Sequence, residues 1–258
     1  DSVDAAKVSL AHARHQSTGG RQATSKPDEL FQQTLIKAAK YPDVLQEAQL
    51  AYASFLTQSW ARAKTSSEPA STAQPLFDHA ERILNEAIAG DPNGFDAYIQ
   101  LALLNKLAGR FADTVATCER RIAGEFSRRG LSGIKNKLKL FSLFILASES
   151  CVAQAVSVGV GEAAAPDDQW LVRADQYVQR AAGEFSNNPR AMSQSGRIKL
   201  ARGQDRSALE DLRAADQAYR GSSYVDWQNK MLLARVHIKL GEPGAAKAVL
   251  DEAYEFAL

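Results

Sequence analysis

Cysteine is scarce in this sequence, and neither sign of charge dominates. The 258 residues include only Cys118 and Cys151 as cysteines, too few for a disulfide framework or for a zinc site of their own. Lysine and arginine number 31 against 30 acidic residues, a formal net charge of +1, so the total charge does not favour nucleic acid or an anionic membrane as a partner. The hydrophobic share of 45% is that of a folded protein and excludes a disordered tail or a collagen-like rod.

Catalytic residue patterns are also lacking. His12 and His15 share one helical face at a spacing of three, but no third metal ligand lies nearby, so surface histidines are expected. His237 falls on a packing position and is predicted to be a hydrogen-bonded core histidine, and both cysteines fall on apolar helix phases as small hydrophobic residues. Because no nucleophile elbow or paired-carboxylate motif occurs, the sequence predicts no enzymatic activity, no cofactor and no metal.

The most apolar window, LKLFSLFILA at 138–147, is shorter than the roughly 20 residues that a membrane span needs. It predicts a buried helix, and no transmembrane segment is expected in this fragment. The chain starts at Asp1 without an initiator Met and stops inside the apolar-periodic stretch AKAVLDEAYEFAL. We therefore expect a piece of a longer protein.

Strand-like alternation is nearly absent, whereas good helix formers dominate between Pro- and Gly-containing breaks. Turn and capping signals divide the chain into helices. The sequence predicts an all-α fold of about twelve helices, at 2–15, 27–40, 43–64, 76–89, 95–108, 111–127, 134–157, 167–185, 189–202, 205–219, 224–240 and 243–258.

A helix pair recurs along the chain at 91–122, 187–215 and 226–253, with a partial copy at 77–92. Each full copy has a small residue in its first helix (Ala102, Gly196 or Ala234) and a turn glycine after it (Gly109, Gly203 or Gly241). Small residues allow two helices to approach closely. This order of features resembles the tetratricopeptide repeat (TPR), in which antiparallel helix pairs stack into a right-handed α-solenoid.

The resemblance implies a domain plan. Residues 1–64 are expected to form weakly repeat-like N-terminal helices, 65–75 a loop, and 76–258 a TPR-like solenoid. The spacing between Gly109 and Gly203 is too long for two standard repeats, so an expanded helix pair is expected at about 131–186.

A solenoid also implies a concave groove lined by the first helix of each pair. Helical phase places Ser193 and Met231 in this groove. It also places four cations and two amides there, which are Arg190, Gln194, Arg197, Gln228, Arg235 and Lys239. Arginine binds a carboxylate through two parallel hydrogen bonds, so this groove is predicted to bind an acidic peptide or a C-terminal carboxylate. Asp205 and Glu210 are the nearby acids expected to offset the repulsion among the cations. The groove positions at 95–108 do not reproduce the Lys/Asn set of the chaperone-binding members of the family; they are Asp96, Ile99, Gln100, Leu103 and Lys106.

A basic stretch lies at 120–139. Its seven cations oppose a single Glu125, and they are Arg120, Arg121, Arg128, Arg129, Lys135, Lys137 and Lys139. They are interpreted either as a solvated connection between repeats or as a docking site for an acidic partner, RNA or a membrane surface. Phe126 is the one aromatic residue in the sequence of this stretch, which is too few for a platform that stacks single-stranded bases, so nucleic acid is not an expected partner.

The first functional hypothesis is a non-catalytic scaffold or adaptor that binds a peptide of a protein partner in the groove. Two alternatives stay open. One is a regulatory or substrate-recruiting TPR region of a larger enzyme, and the other is a basic helical adaptor for RNA or membrane.

Overall fold

The computed structural model describes residues 2–18, 27–65, 70–126, 134–158, 168–219 and 226–255. Within these ranges the protein consists of twelve α-helices and contains no strand. The helices are α1 (Val3–Thr18), α2 (Pro27–Ala38), α3 (Pro42–Thr65), α4 (Ala70–Gly90), α5 (Asp96–Leu107), α6 (Phe111–Phe126), α7 (Ile134–Val158), α8 (Gln169–Glu184), α9 (Pro189–Ala201), α10 (Asp205–Tyr219), α11 (Trp227–Lys239) and α12 (Pro243–Glu255).

The predicted all-α architecture is confirmed, but the loop expected at 65–75 is wrong over its second half. Helix α4 begins at Ala70 and contains Pro75. Ala73 is buried in the same hydrophobic core as Trp60 and Phe77. Burial of Ala73 and Phe77 on either side of Pro75 offsets the backbone hydrogen bond that proline cannot donate.

The chain divides into two compact units. The first comprises Asp1–Arg110 and Ala123–Ser127, and the second comprises Phe111–Ile122 and Arg128–Leu258. This division does not fall in the segment 65–75, because α3, which ends at Thr65, packs closely against α4, which begins at Ala70.

Aromatic packing holds the core of the first unit together. The rings of Phe31 and Tyr52 stack with centroids 5.2 Å apart, and Trp60 meets Phe77 edge-on at 5.7 Å. These contacts join α2, α3 and α4, so the N-terminal helices form part of one core rather than a separate segment.

In the second unit, helices α7 to α12 form three pairs, α7 with α8, α9 with α10, and α11 with α12. The first helix of each pair also packs against the first helix of the next, in the order α7, α9, α11. Gly196 of α9 lies against Leu212 of α10, so the small residue permits close approach within the pair. This alternation of pair and neighbour contacts is the packing of a helical-repeat solenoid.

One turn geometry occurs after three first helices. Gly109, Gly203 and Gly241 all have φ between +73° and +78°, the left-handed region that glycine adopts without a Cβ penalty. In each turn the amide after the glycine donates to the carbonyl five residues earlier; the distance is 2.9 Å from Gln204 to Lys199 and 2.8 Å from Glu242 to His237. The turn positions read from the sequence are thus structurally equivalent.

Helix α7 is long and apolar enough, by length and composition only, to cross a membrane. However, 72% of its apolar window (Ile134–Ser157) is buried within the protein. Leu143, Ile145 and Ala147 are fully buried, and α7 packs along α8. The prediction of a buried helix at 138–147 is therefore confirmed.

The histidines and cysteines adopt the environments expected of them. His12 and His15 are exposed, whereas His237 is 3% exposed and its Nδ1 lies 2.7 Å from a carboxylate oxygen of Glu242. Cys118 and Cys151 are both fully buried. Burial raises the pKa of the Cys151 thiol to about 12, so Cys151 is a packing residue with little thiolate at neutral pH.

Candidate functional site

The first helices of the second unit, α7, α9 and α11, line a trough with two adjoining compartments. The larger, here called the apolar compartment, is a cavity of about 740 Å³. The smaller, here called the polar compartment, has a volume of about 610 Å³. Arg197, Trp227, Gln228 and Leu232 line both compartments, so the two form one continuous concave surface.

The apolar compartment is built from all three helices. Val152 and Val156 come from α7, Leu200 from α9, and Trp227 and Met231 from α11. Asp226 caps the N-terminus of α11 by accepting hydrogen bonds from the amides of Gln228 and Asn229. This cap fixes the start of α11 and thereby the position of Trp227, the first residue of the helix.

Arg197 and Arg235 also line the apolar compartment. Within the described ranges, neither guanidinium has a carboxylate partner or a hydrogen bond. Among the described residues, no aspartate or glutamate belongs to the lining of this compartment. Two unneutralised cations therefore border a cavity whose walls are largely apolar.

Two other cations that the sequence placed in the groove are ion-paired. Arg190 lines the polar compartment and pairs with Glu149 at 3.4 Å, where the Glu149 side chain is only 7% exposed. Lys239 pairs with Asp205 at 3.5 Å and is not among the lining residues of either compartment. Asp205 is one of the two acids expected to compensate the cations, but it does so for Lys239 alone.

Gln194 has a different environment from the one that helical phase suggested. It lines the polar compartment but is 4% exposed, and its Nε2 donates to Ser148 Oγ at 3.1 Å. Ser148 in turn donates to the backbone carbonyl of Ala174 at 3.0 Å. The amide of Gln194 thus joins α9 to α7 and α8, whereas Gln228 is exposed at the trough.

Over its described residues, the basic stretch does not place all of its cations at the surface. Arg121 is only 3% exposed, so its predicted place in a surface patch is wrong; its position on the buried side of α6 follows from helical phase. Lys137 forms an ion pair with Glu184 at 3.7 Å. Lys135 is exposed and Lys139 is half-buried. Arg120 lies on α6, and Arg128 and Arg129 lie outside the described residues.

Sequence reasoning missed the apolar lining of the trough. Trp227, Val152 and Val156 were not among the groove candidates, although Met231 was. One signal was available: Trp227 and Met231 are four residues apart on α11 and share a face with Arg235. Val152 and Val156 repeat the same spacing on α7, but only the tertiary structure brings the two helices to one cavity.

No protein-family model matches this chain, and no curated protein matches it. Solved structures do resemble it. PilW, a widely conserved type IV pilus biogenesis factor, has a TM-score of 0.63 at 13% identity over 97% of this chain and 93% of PilW. TTC0263, a thermophilic TPR protein of Thermus thermophilus, has a TM-score of 0.54 at 17% identity over 78% of this chain and 91% of TTC0263.

The APC/C hetero-tetramer Cut9–Hcn1 is a further match, with a TM-score of 0.55 at 12% identity, covering 99% of this chain and 40% of the matched chain. Identities this low establish the fold alone. The fold is that of the TPR proteins, a solenoid of antiparallel helix pairs, as the repeated glycine turns and small residues predicted.

Proposed function

We propose that this chain is a non-catalytic protein-interaction scaffold that binds an acidic peptide segment of a partner in the trough of its second unit. The observation that carries the proposal is the pair Arg197 and Arg235. Both line the apolar compartment without a carboxylate partner among the described residues, whereas Arg190 and Lys239 are each paired.

An acidic group suits this arrangement for an electrostatic reason. Two cations on one cavity repel each other, and a bound carboxylate relieves that repulsion. Each guanidinium offers a planar pair of donors that matches a carboxylate, and such charge-assisted hydrogen bonds are stronger than neutral ones. The exposed amide of Gln228 lies on the same lining and provides both a donor and an acceptor for a peptide backbone.

The fold supports a role in assemblies. Solenoids present the first helices of their repeats as one concave surface. Of the similar structures, PilW is described as a pilus biogenesis factor and Cut9–Hcn1 as a hetero-tetramer. The hetero-tetramer is an assembly of several chains, and a role in an assembly is what we propose for this chain.

Charge reversal tests the proposal directly. The probe is a fluorescein-labelled peptide of about 12 residues that alternates Asp and Glu with Gly and Ser and has Phe at its centre. The double variant Arg197→Glu/Arg235→Glu should weaken its binding by more than about 2 kcal/mol, because two charge-assisted contacts become repulsive. Fluorescence anisotropy at fixed ionic strength gives the affinity, and thermal unfolding checks that the fold is retained.

A matched control uses two exposed arginines of α10, the second helix of its pair. Arg206→Glu/Arg213→Glu makes the same change in net charge away from the trough. This variant should bind the probe nearly as tightly as the unmodified protein. Equal weakening by both double variants would show a non-specific charge effect and would reject the trough as the site.

A further inference from the structure

Three large apolar side chains that are exposed to solvent converge on one cavity. Val156 is 46% exposed, Trp227 is 44% exposed and Met231 is 58% exposed, and all three line the apolar compartment. Exposed apolar residues that are scattered singly need no explanation, but a cluster marks a surface that another group covers. These three come from α7 and α11, which lie far apart in the sequence.

The rest of the apolar compartment is lined mainly by apolar side chains. Val152 and Leu200 are buried at 2% and 4% exposure and complete the apolar wall, together with the small residues Ala153 and Ala201. Its volume of about 740 Å³ lies within the range of roughly 300–1,000 Å³ typical of ligand cavities. The polar lining groups belong to Arg197, Arg235, Gln228 and Ser157. The cavity therefore combines an apolar interior with cationic groups.

We propose that this compartment binds a large apolar side chain of the partner segment, of the size of Leu, Phe or Trp, which has an acidic residue close to it in the peptide sequence. The proposal rests on the proposed function, because the same trough and the same two arginines are involved. It adds the determinant of specificity: the arginines select the acidic residue, and the apolar compartment selects the bulky one.

Charge complementarity favours this occupant over a wholly apolar one. A fully apolar segment would leave Arg197 and Arg235 desolvated without a partner, at a cost in free energy. A purely acidic segment would leave Val156, Trp227 and Met231 exposed to water. Only a segment with both kinds of side chain satisfies the two sets of groups together. The adjoining polar compartment then accommodates the rest of the peptide beside Ser193 and Asp226.

The experiment compares acidic peptides of equal length that differ only at their central position, which is Ala, Leu or Phe. The unmodified protein should bind the Phe peptide about tenfold more tightly than the Ala peptide, as expected for burial of a large apolar side chain. In the variant Val156→Ser/Met231→Ser, this preference should fall below about twofold. The arginine double variant should weaken both peptides alike.

The control variant Val8→Ser/Ile36→Ser removes two apolar side chains of the first unit that are 68% and 76% exposed. It should retain the preference for Phe. Circular dichroism and thermal unfolding confirm that each variant is folded. If Val156→Ser/Met231→Ser is not folded, the milder variant Met231→Gln replaces it, because Met231 is the most exposed of the three apolar residues. This variant must then reduce the preference for the Phe peptide over the Ala peptide.

The outcomes separate the two proposals. If the Phe and Ala peptides bind the unmodified protein with equal affinity, and the arginine variant weakens both, then the specificity inference is wrong and the acidic-peptide function holds. If no peptide binds, both proposals fail. Decanoate, a fatty-acid anion, also combines a carboxylate with an apolar body; its binding in the absence of Phe-peptide binding would overturn the peptide proposal in favour of a small amphiphile.

Discussion

Gly196 of α9 lies so close to Leu212 of α10 that no side chain fits between them. An ideal Cβ on Gly196 would lie 2.6 Å from Leu212 Cγ and 3.2 Å from the backbone oxygen of Ala208. Leu212 is fully buried and has little room to move. The recurrent small residue of the helix pair is therefore a direct consequence of the distance between the two helices.

Replacement of this glycine tests that relationship. Alanine favours a helix over glycine by about 1 kcal/mol, but overpacking in a rigid core costs roughly 1–3 kcal/mol. Gly196→Ala should therefore lower the stability despite the better helix propensity. Combining it with Leu212→Ala should recover part of the loss, because the new methyl group occupies space that the leucine vacates. Urea unfolding of both single variants and the double variant measures this coupling; strict additivity would contradict it.

Substitution of the turn glycine Gly241 should also lower the stability, but for a different reason. A Cβ there would meet nothing within 4 Å, but its φ of +75° costs an L-residue about 1 kcal/mol. Gly241→Ala should therefore destabilise by about that amount. Gly244 of α12 has equally open surroundings and no positive φ, so Gly244→Ala should be neutral or stabilising. Equal shifts in the melting temperatures of the two variants would contradict the assigned backbone conformation.

A buried lysine joins three helices of the second unit. The Nζ of Lys230 on α11 lies 2.8 Å from Asp216 on α10 and 3.0 Å from Glu252 on α12, and the side chain is 7% exposed. Lys230→Met should destabilise by about 3 kcal/mol, because it removes a buried ammonium group that contacts two carboxylates at once. Lys247 forms a similar pair with Asp251 on the exposed side of α12, so Lys247→Met should leave the urea midpoint unchanged. A similar loss in both variants would show that burial of the ion pair is unimportant.

His79 should make the stability of the first unit depend on pH. Its ring packs edge-on against Tyr52, and burial, aided by Arg82, lowers the pKa of His79 below its ordinary value. The folded state therefore disfavours protonation of His79 relative to the unfolded chain, whose pKa is about 6.5. The stabilisation is complete above that pH and decreases as the pH falls through the folded pKa.

Urea unfolding at about pH 7.5 and about pH 5.5, on either side of the unfolded pKa, measures this effect. His79→Gln should reduce the loss of stability on acidification, whereas His12→Gln, a change at an exposed histidine, should retain it. An identical pH dependence in the unmodified protein and in His79→Gln would exclude His79 as the responsible group.

Several features of the fold followed from local sequence. Gly203 and Gly241 were predicted as turns, since a left-handed backbone position selects glycine whatever lies around it. Pro189 marks the start of α9 through its fixed φ, whereas α11, expected from residue 224, begins at Trp227 after its Asp226 cap. Helical periodicity also placed Gly196 on a packed face, because a period of 3.6 residues assigns each position to one side of a helix.

The candidate site was only partly predictable, for a reason that Arg235 and Lys239 illustrate. They are four residues apart on α11 and share a face, so helical periodicity predicts the same environment for both. Yet Arg235 lines the apolar compartment, whereas Lys239 pairs with Asp205, 34 residues away.

The sequence by itself thus determined the helices, their turns and the faces on which they pack, because these depend on backbone conformation and on short-range periodicity. Only the tertiary structure decided which cations stay unpaired and which apolar side chains meet. Arg197 has no carboxylate partner among the described residues, which depends on the acids that the fold places near it. The shared cavity of Val156 and Met231 depends on two helices that are far apart in the chain. Such long-range proximity is set by how the helix pairs stack, and local sequence patterns do not predict it.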